Sequence, residues 1–333
     1  VRLAIGKHMM NITYCDIPRR DRSNGVLSAL QEPGMNLPRC VAETNSLVGE
    51  SPVWDAENQR LFFTDINGMS VSALDVRSGR VEQWQFNAPV SALALTSSAG
   101  WFLVAAGLHL LLWNTETDER VSFAEIEDVG LGNRLNDGAA GPDGNFWVGT
   151  MRNNVAPDGA HIDVDWNHPA SRTGSLYRVS SAGIVTLEGS GFAIPNTMTW
   201  SPDGRTMYTG DSIDNVIYAY DFRYGSIAYR EVFTQDFARG VPDGSAIDED
   251  GYIWNCRYFG SCIVRFDPTG TVDRVVELPV RDVTNCAFGG DDLRTLFITT
   301  AAVSSGSNER LAGAVFAFKP GIRGKPENRF HIG

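Results

Sequence analysis

The sequence predicts an all-β chain, a six-bladed β-propeller with an N-terminal strand closing the last blade. Three observations carry that prediction. One short pattern recurs, it recurs at the period of a propeller blade, and each copy carries strand signals without a helical period. The clearest copy is Arg134-Leu135-Asn136-Asp137-Gly138, where Asn136 is followed at seven residues by Asp143-Gly144 and at eleven by Trp147. Asn196 is followed by Asp203-Gly204 and Tyr208, and Asp243 by Asp250-Gly251 and Trp254. Degenerate copies start at Glu50, Val90 and Asn285, each with an aromatic residue twelve positions on: Phe62, Phe102 and Phe297. The six starts lie 40, 46, 60, 47 and 42 residues apart, a period of solenoids and propellers. Apolar runs such as Phe146-Trp147-Val148 and Ile217-Tyr218-Ala219-Tyr220, separated by Asp-Gly turns, decide for antiparallel sheets. A radial arrangement of such sheets shields most strand edges.

The chain in order gives an extended arm over residues 1–38, a propeller over 39–320 and a tail over 321–333. The arm is broken by Pro18, Pro33 and Pro38 and shows no apolar stretch followed by a small-residue cleavage site, so no secretory leader is expected. With Val1 in place of an initiator methionine, part of it is expected to be a truncated or added end. Residues 40–44 read as a spare strand ahead of the first unit, while the sixth unit runs out after Ala314-Val315-Phe316-Ala317-Phe318. Pairing the two would close the ring. Unit three carries extra length between Arg152 and Arg172, a polar stretch with Pro157, Asp158-Gly159 and Pro169 that reads as a loop.

The 333 residues are read as one domain, since a repeat spreads a single core over all units. A net charge of −12 disfavours a nucleic-acid groove or an anionic membrane surface as partner. Small molecules and cations suit it better. Five cysteines without paired spacing argue against a disulfide framework and for a reducing, cytoplasmic setting, with Cys256 and Cys286 as buried core thiols. No apolar run approaches a membrane span. A monomer or small homo-oligomer is expected.

In a propeller the innermost strands line the axis, so the same repeat position converges on one ring. Position one reads Glu50, Val90, Asn136, Asn196, Asp243 and Asn285: two carboxylates, three carboxamides and one apolar residue. Asn and Asp are also common at loop ends because they tolerate turns, which is the alternative account of each position. Five oxygen-bearing groups around one axis, without Cys or His, suit a hard divalent cation, although carboxylate oxygen can also hold Zn²⁺. His161, Asp163, Asp165 and His168 form a second conceivable metal cluster, but in a polar loop that is the weaker reading. No G-x-S-x-G elbow, G-x-G-x-x-G turn or phosphate loop occurs, which removes the usual signals for an esterase triad or a nucleotide.

Residues 40 to about 320 resemble the SMP-30/gluconolactonase/regucalcin group of six-bladed sugar lactonases. The resemblance rests on Gly49-Glu50-Ser51-Pro52-Val53-Trp54, on Arg134-Leu135-Asn136-Asp137-Gly138 with Gly149-Thr150-Met151, on Ile194-Pro195-Asn196 and on Val241-Pro242-Asp243-Gly244. It implies that Glu50, Asn196 and Asp243 hold one divalent cation, Ca²⁺ first and Zn²⁺, Mg²⁺ or Mn²⁺ as alternatives. It further implies that Arg134 and Asn136 bind the sugar. The family usually has Gly after the metal-binding Asn, where this chain has Thr197.

The implied activity is metal-assisted hydrolysis of an aldono-1,4- or 1,5-lactone to the aldonic acid, with Asp243 both ligand and proton acceptor. The alternatives are a propeller hydrolase for another ester or an organophosphate, and a non-catalytic scaffold stabilised by metal. For Arg134 the alternative role is a salt bridge to Asp137. The Arg152 to Arg172 loop is expected to fold over the ring as a lid, with His161, Asp163, Asp165, Asn167 and His168 for hydroxyls and Trp166 for a sugar face.

Overall fold

A computed structural model describes residues 37–304 and 309–333. Among them, the strands form six four-stranded antiparallel sheets, each consecutive in sequence except the last. The innermost strands are Gly49–Asp55, Val90–Leu95, Asn133–Ala140, Pro195–Trp200, Val241–Ile247 and Val283–Gly289. Each contains one of the six expected starts. The fold is the predicted six-bladed propeller.

The Asp-Gly turns do what their chemistry suggests. Gly144, Gly204 and Gly251 take φ of 78°, 67° and 84°, the left-handed conformation that glycine enters without a Cβ clash. The aromatic residue eleven or twelve positions after each start sits on the second strand, and in four units it wedges against the next blade. Phe62 lies 4.4 Å from Phe102, Trp147 6.4 Å from Trp200 and Trp254 6.3 Å from Phe288, measured between ring centroids. Phe297 stacks at 5.5 Å on Trp54, joining the sixth unit to the first. Such pairs add about 0.5–1.5 kcal/mol beyond the area they bury. The recurring aromatic is therefore the mortar between sheets.

The ring closes as expected, through Arg39–Ala42 pairing antiparallel with Val315–Phe318, Cys40 opposite Phe316. Cys40 corrects one expectation. It is disulfide-bonded, to a partner outside the described residues, so the argument from cysteine usage to a reducing compartment does not hold. Cys256 and Cys286 are free and buried, as is Cys262. Residues 1–36 of the expected arm lie outside the described residues. No helix among the described residues is long and apolar enough to cross a membrane.

One segment links blades at each end of the propeller. At the end where the innermost strands finish, residues 324–331 run across several blades. Gly324 bridges to Asp248, Asn328 Nδ2 donates to Ala140 O at 3.0 Å, and Phe330 N donates to Leu95 O at 2.8 Å. Phe330 is fully buried against Phe123. At the end where the innermost strands begin, the long loop of unit three reaches unit one. Asn67 Nδ2 donates to Gly159 O at 2.8 Å, and Val155 is buried with Ile66 and Met69.

Candidate active site

The six position-one residues do not project inward by simple alternation. Every innermost strand breaks register with its neighbour at this point: between Glu50 and Val53, Val90 and Ala92, Leu135 and Gly138, Asn196 and Thr199, Pro242 and Ser245, and Val283 and Cys286. A bulge of this kind re-aims side chains and takes backbone N–H groups out of the ladder. The displaced N–H groups then serve the ring. Ser51 N donates to Glu50 Oε2 at 2.8 Å, Cys286 N to Asn285 Oδ1 at 2.8 Å, and Gly138 N and Met198 N to the two oxygens of Asp137 at 2.9 and 3.2 Å. Gly244 has to be glycine, because a Cβ there would lie 1.9 Å from Asn285 Cγ.

Side chains link the ring across blades. Asn285 Nδ2 donates to Glu50 Oε2 at 2.9 Å, and Asn136 Nδ2 to Asn196 Oδ1 at 2.9 Å. Arg134, buried, donates through Nη1 to Asn136 Oδ1 at 2.8 Å and through Nε to Asn154 Oδ1 at 2.9 Å. Because a guanidinium only donates, the Asn136 atom facing it must be the oxygen. The Asn136 amide nitrogen is thereby turned toward Asn196, whose oxygen faces the ring while its own nitrogen donates to Ser212 Oγ at 2.8 Å. Asn285, Asn136 and Asn196 are thus oriented by their neighbours.

The carboxylates are less well served. Glu50 Oε1 accepts no hydrogen bond among the described residues, and beside the Asp243 carboxylate stands only the Gly244 N–H. Burial raises Glu50 to about 8, with the charge of Asp137 adding to it. Burial likewise raises Asp137 to about 6. Asp243 is raised well above the carboxylate range, first by burial and then by the charges of Glu50 and Asp137. Against three acids stands Arg134, itself lowered to about 10 by burial, with Arg257 a second positive charge that interacts with Asp243. Acids gathered in a dry site and short of donors are what a divalent cation would satisfy. Among the described residues no three Asp, Glu, His or Cys side chains form a metal-holding group, so a cation here also needs an amide oxygen. Asn196 offers one.

The structure brings together Glu50, Arg134, Asn136, Asn196, Asp243 and Asn285; Val90 is a buried apolar residue packed between blades one and two. Arg134 makes no salt bridge to Asp137, which is occupied by backbone N–H groups. The loop cluster does not converge. His161 lies 3.6 Å from Asp163, whereas His168 Nδ1 accepts from Ala170 N at the start of a short 3₁₀ turn. Sequence reasoning missed Asp137 as a ring member and Asn154 as the partner of Arg134. A carboxylate at position two of a single unit was the only signal for the first. Asn154 lies in a loop with no repeat to align it.

A family model described as SMP-30/Gluconolactonase/LRE-like region matches residues 48–302. Regucalcin from Gallus gallus is 32% identical over 300 residues, covering 87% of this chain and 97% of that protein. The 6-deoxy-6-sulfogluconolactonase from Pseudomonas putida is 31% identical over 301 residues, covering 88% and 98%. Among solved structures, a calcium-binding protein, regucalcin, from Agrobacterium tumefaciens superposes with a TM-score of 0.79 at 29% identity, covering 88% of this chain and 96% of its own.

Proposed function

The chain belongs to the SMP-30/Gluconolactonase/LRE-like family, and from that premise we propose that it is a metal-dependent lactonase opening an aldono-1,4- or 1,5-lactone to the aldonic acid. The observation that carries this reading is the buried excess of carboxylate at the axis, with Glu50 and Asp243 oxygens short of donors beside an oriented Asn196 oxygen. Glu50, Asn196 and Asp243 would hold the cation. The cation, Ca²⁺ in first place and Zn²⁺, Mg²⁺ or Mn²⁺ as alternatives, would supply Lewis acidity toward the lactone carbonyl. A calcium-binding description attaches to the similar Agrobacterium protein, and a sugar lactonase activity to the name of the Pseudomonas one.

The residues divide the remaining work. Asp243 accepts the proton of the attacking water as general base. The same proton is passed to the departing ring oxygen, so the ester C–O bond breaks without an alkoxide leaving unprotonated. Arg134 donates to hydroxyl and carbonyl oxygens of the sugar through Nη2, which has no partner among the described residues, and Asn136, whose amide hydrogens go to Pro195 O and Asn196 Oδ1, accepts from a sugar hydroxyl through Oδ1. The loop from Arg152 to Arg172 acts as a lid, its anchoring to Asn67 holding it across the mouth and limiting the access of bulk water.

The test is a lactonase assay on a panel of aldonolactones with chelator and with Ca²⁺, Zn²⁺, Mg²⁺ or Mn²⁺ restored. Turnover that disappears on chelation and returns with a cation is expected. No turnover of any lactone with metal restored, alongside hydrolysis of an organophosphate or of nothing, would end this reading in favour of another ester or a scaffold.

A further inference from the structure

Thr197 follows Asn196 in the bulge of blade four and is fully buried, with φ of 60°. A β-branched residue is poorly suited to this left-handed conformation, so something must hold it there. Its hydroxyl lies 2.5 Å from Asp243 O and 3.1 Å from Ser245 Oγ, on the neighbouring blade. Asn255 meets the same atoms: its Nδ2 lies 3.2 Å from Thr197 Oγ1 and 3.1 Å from Asp243 O. Behind Asn255 stands Arg257, a guanidinium 1% exposed and surrounded by neutral acceptors: Asn255 Oδ1 at 3.1 Å, Asn215 Oδ1 at 2.5 Å, Arg239 O at 3.1 Å and Gly240 O at 2.8 Å.

The directions of these bonds follow from the donors. Arg257 can only donate, so it must face the oxygen of Asn255, which turns the amide nitrogen toward Thr197 and Asp243. Thr197 Oγ1 receives that nitrogen and gives its one proton to Asp243 O. We propose that Thr197, backed by Asn255 and Arg257, is a positioning residue that ties the Asn196 strand to the Asp243 backbone and so sets the distance between two ligands of the cation. The inference rests on the reading of Glu50, Asn196 and Asp243 as the cation-holding set. None of the three network residues belongs to the proposed cation-holding or sugar-binding set.

Thr197→Ala and Thr197→Ser differ only in the hydroxyl, and Thr197→Gly removes hydroxyl and Cβ together at a φ that glycine adopts freely. Mn²⁺ affinity is measured for each by electron paramagnetic resonance, with kcat and KM on the lactone that the wild type turns over. Thr197→Ala and Thr197→Gly are expected to weaken Mn²⁺ about tenfold, the worth of one well-placed buried hydrogen bond, and to lower kcat with KM little changed. Thr197→Ser, which keeps the hydroxyl, should recover Mn²⁺ affinity to within about threefold. If Ala does not fold, Gly against Ser makes the same comparison. Wild-type Mn²⁺ affinity in Thr197→Gly overturns the proposal, as does equal weakening in Ser and Gly. A wild-type protein that binds no Mn²⁺ sinks the cation reading instead, a separate result.

Discussion

The two ends of the central channel are built from the same six strands and differ in how their polar groups are satisfied. Where the strands finish, residues 324–331 supply backbone partners to Leu95, Gly144 and Asp248, and Phe330 is buried between blades two and three. Where the strands begin, every one of them is bulged, and the acids that result are buried without enough donors. The capped end also holds a carboxylate raised by burial, Glu327, but Lys325 stands beside it, whereas three acids, Glu50, Asp137 and Asp243, gather at the ring. Burial of Glu50 and Asp243 in this state costs stability unless a cation is present, which is why the ring reads as a binding site rather than as loop-end decoration.

The largest test of that contrast removes a charge from the ring. Glu50→Gln and Asp243→Asn should each lower lactone turnover by on the order of a hundredfold or more and weaken cation binding, since several kcal/mol of transition-state stabilisation depend on the site. Stability should move the other way in chelator. The folded pKa of Glu50 is about 8 against an ordinary value of 4.5, so between these pH values the folded state keeps a proton that the unfolded chain has lost. The stabilisation is present below 4.5 and is lost as pH rises through 8. The chelated wild type should therefore melt at lower temperature at pH 8 than at pH 5, and Glu50→Gln should flatten that slope. A wild-type slope of zero in scanning calorimetry with chelator would show that Glu50 is already satisfied without metal.

The opposite end gives the converse result. Phe330→Ala empties a fully buried site and should cost about 3 kcal/mol of stability, read as a lower denaturant midpoint, while cation affinity and kcat of the folded protein stay as they were. If the variant loses cation affinity to the same degree as it loses stability, the two ends are one cooperative unit, and the separation argued above fails.

How much of this was legible before the structure depends on periodicity. Glu50, Asn136, Asn196, Asp243 and Asn285 could be aligned because each opens a repeat, and the strand at Arg39–Ala42 could be placed because blade six lacked one. Asp137 was hidden by the bulge, which breaks the alternation that would otherwise point position two away from the axis. Asn154, Asn255 and Arg257 were hidden for another reason. Their roles depend on contacts between blades, and a hydrogen bond over 58 residues, such as that of Asn255 to Thr197, leaves no mark in a single sequence. Thr197 stood out only as a departure from the expected glycine, and its positive φ shows that the backbone kept the glycine conformation while the side chain acquired partners.

The smallest expected effect concerns the long loop of unit three, proposed above as a lid. Its outer residues His161, Asp163, Asp165 and His168 are exposed, while Val155 is buried on blade one and Asn154 holds Arg134. The inner face is therefore fixed and the outer face free, an arrangement that can limit access without contributing to the reaction. Asn67→Ala removes the buried hydrogen bond to Gly159 O, worth about 1 kcal/mol, and leaves Arg134 and the carboxylates untouched. KM for the preferred lactone should rise about fivefold, with cation affinity at the wild-type value and kcat within about twofold. Replacing residues 157–163 by a short Gly-Ser turn, which spares Asn154, should give the same change and alter the order of preference across the lactone panel. Unchanged KM in both variants would mean that the segment spans the mouth without controlling entry, and specificity would then have to come from Arg134 and Asn136 alone.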